Sequence, residues 1–370
     1  MALSTYKLFQ PLAIDDDLVL PNRIVLPPLT RSRADPVTGV PHKLTGQYYA
    51  QRASAGLLIA EAVMISPQGS GWFGAPWFYT DEHEAGWKEV VDCVHEKGGK
   101  ILLQLQHMGR RANSSFNNGE QVVSASANRS NDDGSGSTAT GKRVPFETPR
   151  ALETHEIPTI VEHFRSAAER AKRAGFDGVE VHGANGYLVD QFLQSVTNQR
   201  TDKYGGSTEN RARFLLEIVD ALTTVYPPSR VAVRLSPNGS AGGMGSPDNI
   251  DQFTYTIQQL GQRKIAFIDL LEATDFGMHD KCRHITPFDV KQAFGGIVIT
   301  GGCYSRDTAE GVVRSGAADA VAIGRPYLSN PDLVERYKND WPLAETAAYE
   351  FWWDASKGEE GFATYPPYRP

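Results

Sequence analysis

The sequence predicts an α/β fold of the (β/α)8 TIM-barrel type. Three observations carry that expectation. Eight short apolar, β-branched runs recur along the chain, with amphipathic stretches between them. The runs are apolar at consecutive positions, as parallel strands covered on both faces must be. Six of the run ends present Thr, Gln, His, Arg or a glycine turn on their C-terminal side, the face where such barrels build their sites. A doubly wound sheet is the alternative. It needs fewer repeats and a glycine-rich first turn.

In chain order, the prefix Met1–Asn22 is expected to plug the barrel bottom. The expected strands are Arg23–Leu26, Leu57–Ala62, Ile101–Leu105, Val179–His182, Val231–Leu235, Ile268–Leu271, Ile297–Thr300 and Ala320–Ile323. Expected helices include Glu82–Lys97, Ile157–Ala174, Glu209–Val225, Asp248–Arg263 and Arg306–Ser315, with Thr80, Ser207, Ser246 and Ser305 as caps. The segment Asn113–Arg150 interrupts the third β/α unit. Its stretch Ser130–Lys142, rich in Ser, Asn, Asp and Gly, reads as a mobile loop. A barrel insertion of this length is expected to act as a lid or a site wall. No repeat or linker divides the chain, so residues 1–370 are expected to form one domain.

Composition narrows the function. The chain is 40% hydrophobic and 22% charged, with a net charge of -7 and no long basic run. That suits a globular protein and argues against nucleic acid as a partner. Cys93, Cys282 and Cys303 lie far apart, so no disulfide framework, zinc site or iron–sulfur cluster is expected. The spacing of His279, Cys282 and His284 matches no common zinc pattern. Reduced thiols, no signal-peptide layout in Met1–Leu12 and no peroxisomal address in Tyr365–Pro370 fit a cytoplasmic protein. No apolar run approaches the ~18 residues that span a bilayer.

The run from Val179 to Tyr187 carries the chemistry. A strand ends at His182, and Gly183 and Gly186 turn the chain so that His182, Asn185 and Tyr187 come together. Two neutral donors and a phenol suit polarising a carbonyl oxygen while a proton is delivered nearby. A second corner follows strands seven and eight. Gly301, Gly302 and Gly324 let backbone N–H groups approach phosphate oxygens. Arg325 adds a planar fork, and the helix opened by Ser305 favours an anion. Thr30, Gln104 and Arg234 would surround the other end of the ligand. A flavin mononucleotide fits, with its phosphate at the rim and its ring over the barrel mouth. The run Gly69–Gly74 matches G-x-G-x-x-G, but Pro76 and aromatics follow where a helix should open, so it reads as a coincidence in a surface loop.

Asn22–Arg31, His182–Leu188, Asn198–Ser207, Arg234–Pro237 and Gly324–Pro326 together resemble the Old Yellow Enzyme family, over nearly the whole chain. The resemblance implies an FMN barrel that reduces activated C=C bonds with NADPH, NADH being possible. It implies flavin contacts from Pro28, Leu29, Thr30, Ala62, Gln104 and Arg234, and phosphate contacts from Gly302, Cys303, Gly324 and Arg325. His182 and Asn185 match the pair that binds the substrate carbonyl, and Tyr187 the proton donor. Two departures concern the substrate. Gln106 stands where many members have Trp, and Trp352 or Trp353 stands in the region of an aromatic Tyr. The substrate would be an enone, of an oxophytodienoate, detoxification or nitro-ester type, and the enzyme a monomer or homodimer. An aldolase-like barrel and a flavin carrier without turnover are the other classes. The first needs a Schiff-base Lys, which is not evident. The second is at odds with an intact His182–Asn185–Tyr187 set. His107 reads as structural, and Arg200, Asp202 and Tyr204 as a loop lock.

Overall fold

A computed structural model describes residues 3–130, 135–272 and 277–369. Eight parallel strands close into a barrel: β1 (Ile24–Leu26), β2 (Leu57–Met64), β3 (Ile101–Gln106), β4 (Gly178–Gly183), β5 (Val231–Leu235), β6 (Phe267–Leu271), β7 (Ile297–Gly301) and β8 (Ala320–Ala322), with β8 pairing back to β1. Each is followed by a helix on the outside: α1 (Lys43–Ala50), α2 (Asp81–His95), α3 (Ile157–Ala174), α4 (Thr208–Leu222), α5 (Asn249–Gln262), α6 (Pro287–Phe294), α7 (Arg306–Ser315) and α8 (Leu333–Asn339). All eight expected strands form. β2 and β3 run past their expected ends, so Gln104 lies inside β3 rather than at its tip. The register between β2 and β3 slips between Ala60 and Val63. Such a bulge re-aims side chains at the rim, and Ala62 lies in it.

The helices form because their apolar residues fall on one face and their first turns are capped. Thr80 and Ser305 make capping boxes with His83 and Thr308, and Ser207 caps α4. Ser246 does not cap α5. Its hydroxyl accepts from the Val196 N–H at 3.0 Å, while Asp248 takes the N-cap position. Helices α1, α6 and α8 are short, and periodicity over so few residues did not announce them.

The prefix does close the barrel bottom. A two-stranded hairpin, Leu12–Ala13 with Val19–Leu20, buries Leu12, Leu18 and Leu20 against Val25, Leu57, Leu102, Phe267 and Ile299. Parts of the insertion form regular structure. Ser135–Ser137 and Arg143–Pro145 form an antiparallel hairpin, and Val123–Ser124 pairs with Arg150–Ala151. Residues 131–134 of the stretch expected to be mobile lie outside the described residues. Arg200, Asp202 and Tyr204 lock a loop as expected. Arg200 pairs with Asp202 and donates to the Ala125 carbonyl, and Tyr204 Oη donates to Glu217 at 2.8 Å.

Candidate active site

A cavity of about 1160 Å³ opens at the C-terminal rim of the barrel. Every flavin, phosphate and substrate contact implied by the resemblance lines it: Pro28, Leu29 and Thr30 after β1, Ala62 on β2, Gln104 and Gln106 on β3, His182 on β4, and Asn185 and Tyr187 just after it. Arg234 from β5, Gly302 and Cys303 after β7, Gly324 and Arg325 after β8, and Trp353 near the C-terminus complete the set.

The floor rests on buried charge. Gln104 Nε2 donates to Glu180 Oε1 at 2.8 Å, and Arg234 Nη1 donates to Asp269 Oδ2 at 2.7 Å. Both carboxylates are fully buried. Burial first, then the charge of Asp269, pushes Glu180 well above the usual carboxylate range. Arg234 Nε has no protein partner among the described residues. A buried guanidinium N–H left open is costly unless a ligand meets it. The turn after β1 is held from beneath: the Arg31 N–H donates to Glu61 Oε2 at 2.9 Å, and burial pushes Glu61 up to about 7.

The end of β4 and the loop after it bring His182, Asn185 and Tyr187 together. His182 Nδ1 accepts from the Ala184 N–H at 3.3 Å, which puts the ring proton on Nε2. Burial, then the charges of Arg234 and Arg111, hold the imidazole well below the usual histidine range, so it is neutral at neutral pH. The Tyr187 ring meets it edge-on at 4.9 Å. Asn185 adopts a left-handed backbone, φ 59°, with its N–H on Ser236 Oγ at 2.8 Å and its carbonyl accepting from Arg111 Nη1 at 3.0 Å. The Arg111 guanidinium also lies 5.4 Å from the Tyr187 ring centre.

At the corner formed by the turns after β7 and β8, where a phosphate is expected, Arg325 Nη2 lies 3.4 Å from Cys303 Sγ, and the Arg325 guanidinium sits 5.9 Å from the Trp352 ring. A Cβ on Gly324 would meet Leu29 and Pro27 at 3.4 and 3.5 Å, ordinary van der Waals contact, so packing among the described residues does not itself demand glycine there. Ser305 does not line the cavity, and its hydroxyl is occupied by the Thr308 N–H. The helix end expected to take the anion is therefore capped from within. The donors at this corner are the turns themselves.

Both tryptophans in question reach the cavity. Trp352 sits beside Arg325, and its carbonyl accepts from Arg31 Nε at 3.3 Å. Trp353 meets Trp72 edge-on at 5.9 Å. Gln106 Nε2 lies 3.9 Å from Met64 Sδ. Other wall residues escaped sequence reasoning: Arg111, Trp72, Tyr349, Ser240 and the hairpin residues Ser135 and Arg143. Arg111 had a signal, as one of two adjacent cations after β3. Trp72 belongs to the Gly69–Gly74 run, which is a cavity wall rather than a surface loop. Its glycines serve close packing: a Cβ at Gly71 would come within 2.6 Å of Ala112 Cα. His279 is structural, its Nε2 lying 2.9 Å from the Pro237 carbonyl.

A family model described as the NADH:flavin oxidoreductase / NADH oxidase family matches residues 7–344. The chain belongs to that family. It is 40% identical over 347 residues to 12-oxophytodienoate reductase 1 of Oryza sativa subsp. japonica, covering 92% of this chain and 87% of that one. A Leishmania infantum relative named "Probable flavin mononucleotide-dependent alkene reductase" is 40% identical, with 93% of each chain covered. Among solved structures, morphinone reductase superposes with a TM-score of 0.92 at 42% identity, over 100% of this chain and 98% of that chain. An old yellow enzyme homologue from Zymomonas mobilis gives 0.92 at 37%, over 97% and 99%. The likeness to the Old Yellow Enzyme family drawn from the sequence thus holds. No helix among the described residues is long and apolar enough to cross a membrane.

Proposed function

We propose that residues 1–370 form one FMN-binding domain that uses NADPH, or NADH, to reduce the C=C bond of α,β-unsaturated carbonyl compounds. FMN, when bound, would supply the hydride-transfer chemistry between the nicotinamide and the C=C bond of the substrate.

The residues present fit that cofactor. The open Arg234 Nε and the Gln104 amide are partners for a polar ring edge, with Thr30, Pro28, Leu29 and Ala62 around it. Gly302, Cys303, Gly324 and Arg325 offer backbone N–H groups and a guanidinium to a phosphate.

The observation that carries the reading is the neutral His182 with its proton on Nε2, in one cavity with Asn185 and Tyr187. His182 and Asn185 donate to the substrate oxygen and hold the negative charge that develops there. Tyr187 Oη gives a proton to Cα. The Arg111 guanidinium lies over the Tyr187 ring and helps hold it in place. Gln106, Trp353 and the hairpin residues Ser135 and Arg143 bound the substrate, the insertion 113–150 acting as a lid. The net charge of -7 argues against a nucleic-acid partner and the three scattered cysteines fit a cytoplasmic protein, which we take to be a monomer or homodimer. The purified protein should be yellow and consume NADPH when given cyclohexenone. A colourless protein that cannot be loaded with FMN would end this reading. A panel adding oxophytodienoate-type enones and nitro-esters would define the substrate.

A further inference from the structure

The loop bearing Asn185 and Tyr187 is gripped at the residue between them. The Gly186 N–H donates to Asp190 Oδ2 at 2.9 Å, and its carbonyl accepts from Gln191 Nε2 at 2.7 Å. The other Asp190 oxygen accepts from Gln194 Nε2 at 2.8 Å. Gln194 Oε1 in turn accepts from the Gly245 N–H at 2.8 Å and from Asn249 Nδ2 at 3.2 Å. Asp190, Gln191 and Gln194 are all fully buried, although none lines the cavity. The backbone they hold is left-handed at two successive residues, Asn185 at φ 59° and Gly186 at φ 75°. Glycine takes this conformation freely, whereas at Asn185 it is uncommon and is held by the surroundings.

We propose that Asp190, Gln191 and Gln194 are positioning residues that set how Asn185 and Tyr187 reach the substrate. They fix the Gly186 peptide from both sides and tie it to the loop after β5. That loop places Ser240 and Ala241 on the same cavity wall, and the Ala241 carbonyl would lie 2.9 Å from a Cβ at Gly186. The inference rests on the roles given to Asn185 and Tyr187 above.

The pattern of donors makes it testable. Asp190 must accept twice, and Gln194 must donate toward Asp190 while accepting from Gly245 and Asn249. Asp190→Asn turns an N–H₂ group toward another donor. The exchange Asp190→Asn/Gln194→Glu pairs every donor with an acceptor again, since the introduced amide donates to the introduced carboxylate. Asp190→Asn should keep one FMN per chain yet lose on the order of ten- to a hundredfold in kcat for cyclohexenone, the scale of a small misplacement. The exchanged pair should recover most of that loss. Wild-type kcat in the single variant would overturn the clamp, and so would an exchanged pair no faster than the single variant. If the single variant does not fold, an exchanged pair that folds and turns over supports the clamp, and one that also fails to fold overturns it. A wild-type protein that reduces no enone would instead bring down the proposed function, before any variant is compared.

Discussion

The phosphate corner and the substrate rim of this cavity are built in opposite ways. The corner consists of two turns, Gly301–Tyr304 after β7 and Gly324–Pro326 after β8, on neighbouring strands. Backbone groups and one guanidinium supply its chemistry. The rim gathers side chains from the β4 loop, the Trp72 loop, the inserted hairpin and the C-terminal segment. Arg31 ties that last segment down from 321 residues away, through the Trp352 carbonyl. A backbone site needs only the right strand order. A side-chain site needs remote segments to arrive in register, so the corner should tolerate substitution at the rim, and substrate preference should depend on the rim alone.

The largest expected effect separates the two. His182→Ala removes a donor to the developing oxyanion and should cost on the order of 3 kcal/mol, about a hundredfold, in enone reduction. Tyr187→Phe should slow the enone half-reaction sharply and leave the NADPH half-reaction near wild type. Stopped-flow spectra resolve the two steps. Equal slowing of both would remove Tyr187 from the role of proton donor. In both variants the FMN content should stay at one per chain, as the corner is untouched.

Arg325→Ala probes the other end. It should weaken FMN binding by roughly 1.5–3 kcal/mol, the worth of hydrogen bonds to a charged group. Equilibrium dialysis against FMN measures it. With saturating FMN, turnover should return, and a lasting loss of turnover would show that corner and rim are coupled.

Acid should destabilise the fold in part through His107. Its Nδ1 accepts from the Gly109 N–H at 3.1 Å, and its carbonyl accepts from the Leu188 N–H at 3.0 Å, beneath the β4 loop. Burial pushes its pKa down to about 3, against about 6.5 in an unfolded chain. The unfolded state therefore binds the proton first. The stability His107 contributes is full above about pH 6.5 and lost as pH falls toward 3, about 2 kcal/mol of it by pH 5. Thermal melts should show a smaller drop between pH 7 and pH 5 in His107→Gln than in the parent. Parallel slopes would count against this.

The smallest effect belongs to Gln106→Trp. It should reorder enone preference by up to about 1.4 kcal/mol, a tenfold change in kcat/KM ratios, the scale of an apolar pocket change. FMN affinity should not move. Identical substrate profiles and product stereochemistry would remove Gln106 from the substrate wall.

The corner was legible in the sequence because each of its residues follows directly on a strand. An apolar run with Gly302 or Gly324–Arg325 at its end states both the strand and what stands at its rim. The same held for Thr30, His182 and Arg234. Ser305 caps its own helix, its hydroxyl taking the Thr308 N–H, and lies off the cavity lining, which its place after a strand did not reveal. The rim was only half legible. Gln106 and Trp353 were reached through resemblance, while Trp72, Arg111 and Tyr349 were missed, since nothing local marks a residue for a wall completed by a distant segment. Asp190, Gln191 and Gln194 were not marked in the sequence; only their burial within Leu188–Gln194 sets them apart.

Alternating apolar runs and amphipathic stretches, read one after another, determined the barrel, its strand order and the face that bears the site. Those properties depend on neighbours a few residues apart, which is the range over which a chain's own period is felt. Tertiary structure decided the rest. It set the tautomer and neutrality of His182, which come from Ala184, Arg234, Arg111 and burial. It placed Arg111 over Tyr187, turned a Ser- and Gly-rich stretch into an ordered hairpin, and enforced the left-handed backbone at Asn185. Each of these is a balance of desolvation and partner geometry among residues far apart in sequence, and such a balance exists only once the chain has closed on itself.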